Sequence, residues 1–97
     1  MATYIVLANF TDQGIRNVKD TGKRADAARE MAKKFGVTMK EIYWTLGSYD
    51  VVTICDAADD AAITAFGLKL GSDGNVRTQT LRAYSRQDIN SILGKLG

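Results

Sequence analysis

The side chains of this chain best placed to do chemistry meet at one short link, Gly47-Ser48-Tyr49-Asp50. Tyr49 brings a phenol and Asp50 a carboxylate, so the pair can present hydrogen-bonding groups at a hairpin mouth to a small ligand. The same residues also have a plain conformational use. Gly47 can supply a turn conformation, Asp50 can accept from turn amides, and Tyr49 can pack at an interface. Asn9, Tyr43 and Arg82, with Tyr4, Trp44 and Tyr84, are the other side chains able to give a sheet cavity polar character. A Tyr/Arg/Asp set suits an anion or a carbonyl compound, although aromatic residues on strands also build cores. Gly47, Tyr49, Asp50, Tyr43, Asn9 and Arg82 therefore form the candidate ligand-binding set.

Other reactive groups carry less. Cys55 lies in an apolar run with no basic neighbour, so a buried and inert thiol is expected. The sequence has no histidine. That removes imidazole-ligated haem and zinc sites and every triad built on imidazole. No metal and no cofactor is expected. Asp59 and Asp60 are adjacent and point to different sides of a helix, a poor geometry for metal binding or paired acid–base work. Gly71-Ser72-Asp73-Gly74 ends a helix instead of opening one, which argues against a phosphate cradle. Eight basic residues fall between Arg16 and Lys40, but Asp20, Asp26 and Glu30 are interspersed, as on a solvated helix face. The formal net charge of +2 implies no polyanion partner. The run Val51-Val52-Thr53-Ile54-Cys55 lacks the stacking aromatics of an RNA-binding sheet, so no nucleic-acid partner is expected.

These groups must be positioned by a single small domain over residues 1–97. A chain of this length buries roughly 60–65% of its unfolded surface, and 45% hydrophobic with 25% charged residues is a globular balance. No apolar run approaches the ~20 residues needed to cross a bilayer, and the N-terminus reads as a strand, not a signal peptide. One cysteine cannot form an internal disulfide, so a reducing cytoplasm is the expected compartment.

Tyr4 to Phe10 is rich in aromatic and branched residues and reads as a strand. Thr11 can cap a helix that carries Ile15 and Val18, then Ala25, Ala28, Met31, Ala32 and Phe35 along one stripe, with Gly22 as its expected bend and Gly36 as its C-terminal cap. Met39 to Leu46 and Asp50 to Asp56 read as a hairpin across Gly47. Asp56 is the expected cap of a second helix whose buried face is Ile63, Phe66, Gly67 and Leu70, closed by Gly71 and Gly74. Asn75 to Tyr84 is a fourth strand. Ser85 and Asp88 open an amphipathic C-terminal helix carrying Ile89, Ile92, Leu93 and Leu96. The order β-α-β-β-α-β with a helical tail predicts a ferredoxin-like α+β sandwich with both crossover helices on one sheet face.

The other sheet face should be polar if it met water. Instead the first strand carries Tyr4, Val6, Ala8 and Phe10 on one parity and Ile5, Leu7 and Asn9 on the other. The third carries Val51, Thr53 and Cys55 against Val52 and Ile54. At about 25 cal/mol per Å², leaving a few hundred Å² of such surface wet costs several kcal/mol. A two-fold homodimer, sheet on sheet around a small barrel interior, removes that cost.

Around Gly47-Ser48-Tyr49-Asp50 the sequence resembles the GYD-domain family. The resemblance extends over Tyr4-Ile5-Val6-Leu7, Asp12-Gln13-Gly14-Ile15, Arg24-Ala25, Gly36, Thr45 to Val52 and Asn75 to Leu81, nearly the whole chain in order. It departs where Gly22 and Ala58 stand in place of an expected proline. The resemblance implies a bacterial-type dimeric α+β barrel and supplies no activity. Two functions are compatible with it. One is a non-catalytic homo-oligomeric module that binds a small molecule or acts as a scaffold, its partner being itself as a dimer or a higher oligomer. The other is a cofactor-free enzyme, monooxygenase- or isomerase-like, working with Tyr, Asp and Arg in the barrel cavity. No membrane partner is expected.

Overall fold

The computed structural model describes residues 1–97. Four strands form one antiparallel sheet: β1 (Ala2–Phe10), β2 (Val37–Trp44), β3 (Val51–Ala57) and β4 (Val76–Ala83), in the order β2-β3-β1-β4. Helices α2 (Thr21–Lys34) and α3 (Asp60–Ser72) cross over the same face, a short α1 (Asp12–Arg16) precedes α2, and α4 (Arg86–Leu93) closes the chain. This is the ferredoxin-like α+β sandwich that the element order predicts.

The strand registers follow from side-chain parity. Tyr4, Val6, Ala8 and Phe10 of β1 face the helices beside Val51, Thr53, Cys55 and Ala57 of β3, with Tyr4 opposite Cys55 and Val6 opposite Thr53. In β2 the parity changes midway. Met39 pairs with Cys55 and Glu41 with Ile54, so Lys40 is the extra residue of a β-bulge. The bulge lets Val37 and Met39, then Ile42 and Trp44, point to one face although their spacing switches from odd to even. Tyr4, Val6, Val37, Met39, Cys55 and Ala57 from the sheet and Ala32, Ile63 and Phe66 from the helices form the buried core. The Phe35 and Phe66 rings meet tilted at 48°, 6.4 Å apart.

Two helix boundaries differ from the sequence expectation. The bend in the first helical stretch falls at Asn17, with a single 3₁₀ turn over Val18–Asp20, and Gly22 lies inside the first turn of α2. The break is held by Arg24, whose guanidinium donates to the carbonyl oxygens of Asn17 at 2.7 Å and Gly14 at 3.0 Å. Asp56 does not cap α3. It belongs to β3, accepts from the Thr3 hydroxyl at 3.1 Å and pairs with Lys40 at 3.6 Å. The cap is Asp59, which accepts from the Ala62 amide at 2.9 Å. Gly71 sits within α3, and only Gly74 takes the left-handed conformation that ends it.

The capping box at α4 forms as expected, Ser85 accepting from the Asp88 amide and Asp88 from the Ser85 amide, both at 3.0 Å. Hydrogen bonding to the Ser85 amide first, and to the Ser85 hydroxyl second, holds the Asp88 carboxyl below the usual carboxylate range. The apolar stripe of α4 has no cover: Ile89 and Ile92 are 38% exposed and Leu93 is 52% exposed.

Candidate functional site

The β2–β3 link folds over one end of the sheet. Gly47 has φ +114°, a conformation glycine adopts without strain. The link closes through the Thr45 amide to the Asp50 carbonyl at 2.8 Å and the Thr45 hydroxyl to the Tyr49 carbonyl at 2.6 Å. The Asp50 carboxylate accepts the backbone N–H of Phe10 at 2.9 Å, and the Asp50 amide donates to the Ala8 carbonyl at 2.9 Å. Asp50 thus extends the β1–β3 ladder by one side-chain bond at the point where the strands part. Asp50→Ala should cost about 1–2 kcal/mol, because it strands the partly buried Phe10 amide. Denaturant unfolding measures the loss, and faster hydrogen exchange confined to the Phe10 amide locates it.

Tyr49 reaches across β1, its hydroxyl donating to Gln79 Oε1 at 2.8 Å. Gln79 is opposite Leu7 on the face turned away from the helices. Asn9 and Tyr43 lie on that face by register, Asn9 opposite Arg77 and Tyr43 opposite Val52. The Tyr43 phenol donates to Glu41, which raises its pKa above the ordinary phenol value. Gly47, Tyr49, Asp50, Tyr43 and Asn9 are therefore gathered at the link end of the open face. The centre of that face is Ile5, Leu7, Val52, Ile54 and Leu81, aligned across β3, β1 and β4 with only strand neighbours beside them. Its margin is polar: Thr38, Glu41, Asp56, Gln79 and Arg77.

Arg82 is elsewhere. It pairs with Tyr4 on the helix-facing parity, far along β4 from Asp50. Its guanidinium lies 5.5 Å from the Tyr4 ring centre and 4.7 Å from that of Tyr84, and it donates to the Thr3 carbonyl at 3.2 Å. Tyr4 donates its hydroxyl to Asp60 at 2.5 Å. That bond is the main reason its pKa is raised, so Tyr4 holds its proton and is a poor base. Cys55 is fully buried, and burial pushes its thiol up, away from nucleophilic range. No group of three potential ligands for a metal ion is assembled, and no helix is long and apolar enough to cross a membrane.

A second feature escaped the sequence reading. A cavity of about 340 Å³ lies between the sheet and the helices, and of the aromatic and polar side chains singled out above only Trp44 lines it. The available signal was the run of small residues, Ala8, Ala25 and Ala28, at positions that face the core.

The fold and the open face together define a small ferredoxin-like α+β domain with an uncovered apolar surface on its sheet. The chain belongs to the GYD domain family, whose model matches residues 4–93. It is 37% identical over 90 residues to a Thermus thermophilus protein named glutamine synthetase and cystathionine beta-lyase binding protein, covering 92% of this chain and 95% of that relative. It is also similar to a crystal structure of a Thermus thermophilus protein, with TM-score 0.54 and 27% identity over 89% of this chain and all of the other.

Proposed function

We propose that this GYD-domain protein is a non-catalytic, homodimeric binding module of the cytoplasm that docks on enzymes. The observation that carries the reading is the open sheet face. Its five aliphatic residues form one continuous patch with a polar margin, the anatomy of a protein interface. A second copy is the occupant that fits, because an isologous contact sets aliphatic centre on aliphatic centre and leaves both polar margins wet. The uncovered stripe of α4 adds a further apolar surface, free for a different partner.

The non-catalytic part rests on how the ionisable groups are used. Asp50 is committed to a backbone amide, Tyr4 to Asp60, and Arg82 to two aromatic rings and a strand carbonyl. Asp50, in the β2–β3 link, and Arg82, on β4, lie at opposite ends of the sheet, so they do not form an acid–base set. The enzyme-docking part takes its support from the relative's name, and glutamine synthetase and cystathionine β-lyase are the first partners to test. Purified protein, coupled through its N-terminus, is expected to retain one of these enzymes from the same source in a stoichiometric complex. Retention of neither enzyme by coupled protein that is still folded removes the docking reading.

A further inference from the structure

We infer that the cavity between the helices and the sheet is a binding site for a small aromatic carboxylate, with Arg24 as the group that recognises the acid. The inference does not depend on self-association, since the cavity lies wholly within one chain.

The cavity comes from how the two layers meet. Helix α2 packs mainly along β2 and α3 along β4, so the middle of the sheet is bridged instead of filled. Small side chains then keep the space open from both sides: Ala8 and Thr53 on the sheet, Ala25 and Ala28 on α2. The resulting volume, about 340 Å³, sits at the lower end of the range for ligand pockets, roughly 300–1,000 Å³. That suits a one- or two-ring molecule. Phe66 and Phe10 add aromatic surface to the wall, favouring a flat aromatic body over an aliphatic chain.

The polar content of the wall selects the head group. Arg24 is only partly exposed and has no carboxylate within ion-pairing distance. Its guanidinium sits 5.8 Å from the Phe10 ring centre and donates to two carbonyls, which leaves further N–H groups of its five unassigned. The other charged residue of the wall, Asp73, is paired with Lys69 at 3.1 Å. The cavity therefore presents one uncompensated charge, and it is positive. Also in the wall, the Trp44 indole N–H donates to the Thr21 hydroxyl at 2.9 Å, fastening β2 to the start of α2. A molecule with a ring among the alanines and a carboxylate at Arg24 matches size, shape and charge together.

Trp44 is the sole tryptophan, so its emission reports on the cavity directly. Titration with 3-phenylpropionate is expected to give a saturable change, and the neutral 3-phenylpropionamide to bind roughly tenfold more weakly. Arg24→Gln should abolish that preference while leaving amide binding in place. The double variant Ala25→Leu/Ala28→Leu, which fills the space with good helix formers, should bind neither compound. No saturable response in the parent overturns the inference, as does acid and amide binding alike there, or binding that survives in a natively folded filled variant. Should Arg24→Gln not fold, the acid–amide comparison in the parent and the filled variant decide the matter alone.

Discussion

Ile5→Glu is expected to turn a dimer into a folded monomer. Ile5 sits at the middle of the open face, opposite Ile54 on β3 and Leu81 on β4. In an isolated chain the new carboxylate would reach water on the solvent side of the sheet, and losing the half-buried Ile5 side chain should cost about 1 kcal/mol, which leaves the chain folded. In the proposed dimer each copy would bring one unpaired carboxylate into an aliphatic contact. Burying an unpaired charge there costs several kcal/mol, and every 1.4 kcal/mol is about tenfold in affinity. Two such groups near a two-fold axis should weaken association more than a thousandfold. Sedimentation equilibrium with far-UV circular dichroism checks both halves of the statement. A parent that is monomeric at tens of micromolar, or a variant that dimerises as the parent does, would remove the sheet-on-sheet assembly.

The choice of Ile5 is legible in the sequence, because two-sided apolarity in β1 and β3 needs only a period of two to be seen. The strand order follows from the same alternation plus the handedness of the crossovers. What was not legible shows where one-dimensional patterns fail. Ile15 and Val18 are three apart and read as one helix, yet the chain breaks between them at Asn17. The cause is a long-range one: the Arg24 bonds to the Asn17 and Gly14 carbonyls reward the break, and neither is visible in local spacing. The Asp56 cap failed for a similar reason. Asp56, Asp59 and Asp60 are all good cap residues, and the β3 pairing with β1, which runs on to Asp56 and Ala57, decided among them.

The candidate site divides along the same line. Asp50 could be read as a carboxylate that satisfies nearby amides, and it does so, although its partner is Phe10, forty residues away, and not the turn itself. Asn9, Tyr43 and Tyr49 share the link end of one sheet face, whereas Arg82 stands apart because the parity of β4 is fixed by its pairing with β1, which no local pattern reveals. The helix–sheet cavity had the faintest signal of all. Ala8, Ala25 and Ala28 carry the apolar pattern of a packed core, and missing side-chain volume leaves no mark in a hydrophobic pattern.

Gly14→Ala should be strongly destabilising, and Gly22→Ala stabilising, although both glycines are helical. At Gly14 a Cβ would fall 2.0 Å from the Asn75 carbonyl oxygen and 2.9 Å from its carbon. Neither is the end of a flexible side chain, so relief requires moving backbone. That backbone is held: the Asn75 oxygen accepts the Thr11 amide at 3.1 Å, and Gln13 bonds to the Asn75 side chain at 3.0 Å and to the Asp73 carbonyl at 3.2 Å. Helix α1 is docked so tightly on the α3–β4 link that only a hydrogen fits between them. Overpacking of this kind costs about 1–3 kcal/mol and sometimes more; contact with backbone places Gly14→Ala at the upper end. The intrinsic preference of Ala over Gly in a helix returns only about 1 kcal/mol. At Gly22 nothing beyond its chain neighbours and its own helix's backbone lies within 4 Å of the added methyl, so that preference acts unopposed and should add about 0.5–1 kcal/mol. At about 4–8 °C per kcal/mol for a domain of this size, the two variants should melt on opposite sides of the parent. Equal and small shifts for both would mean that α1 is not seated on Asn75.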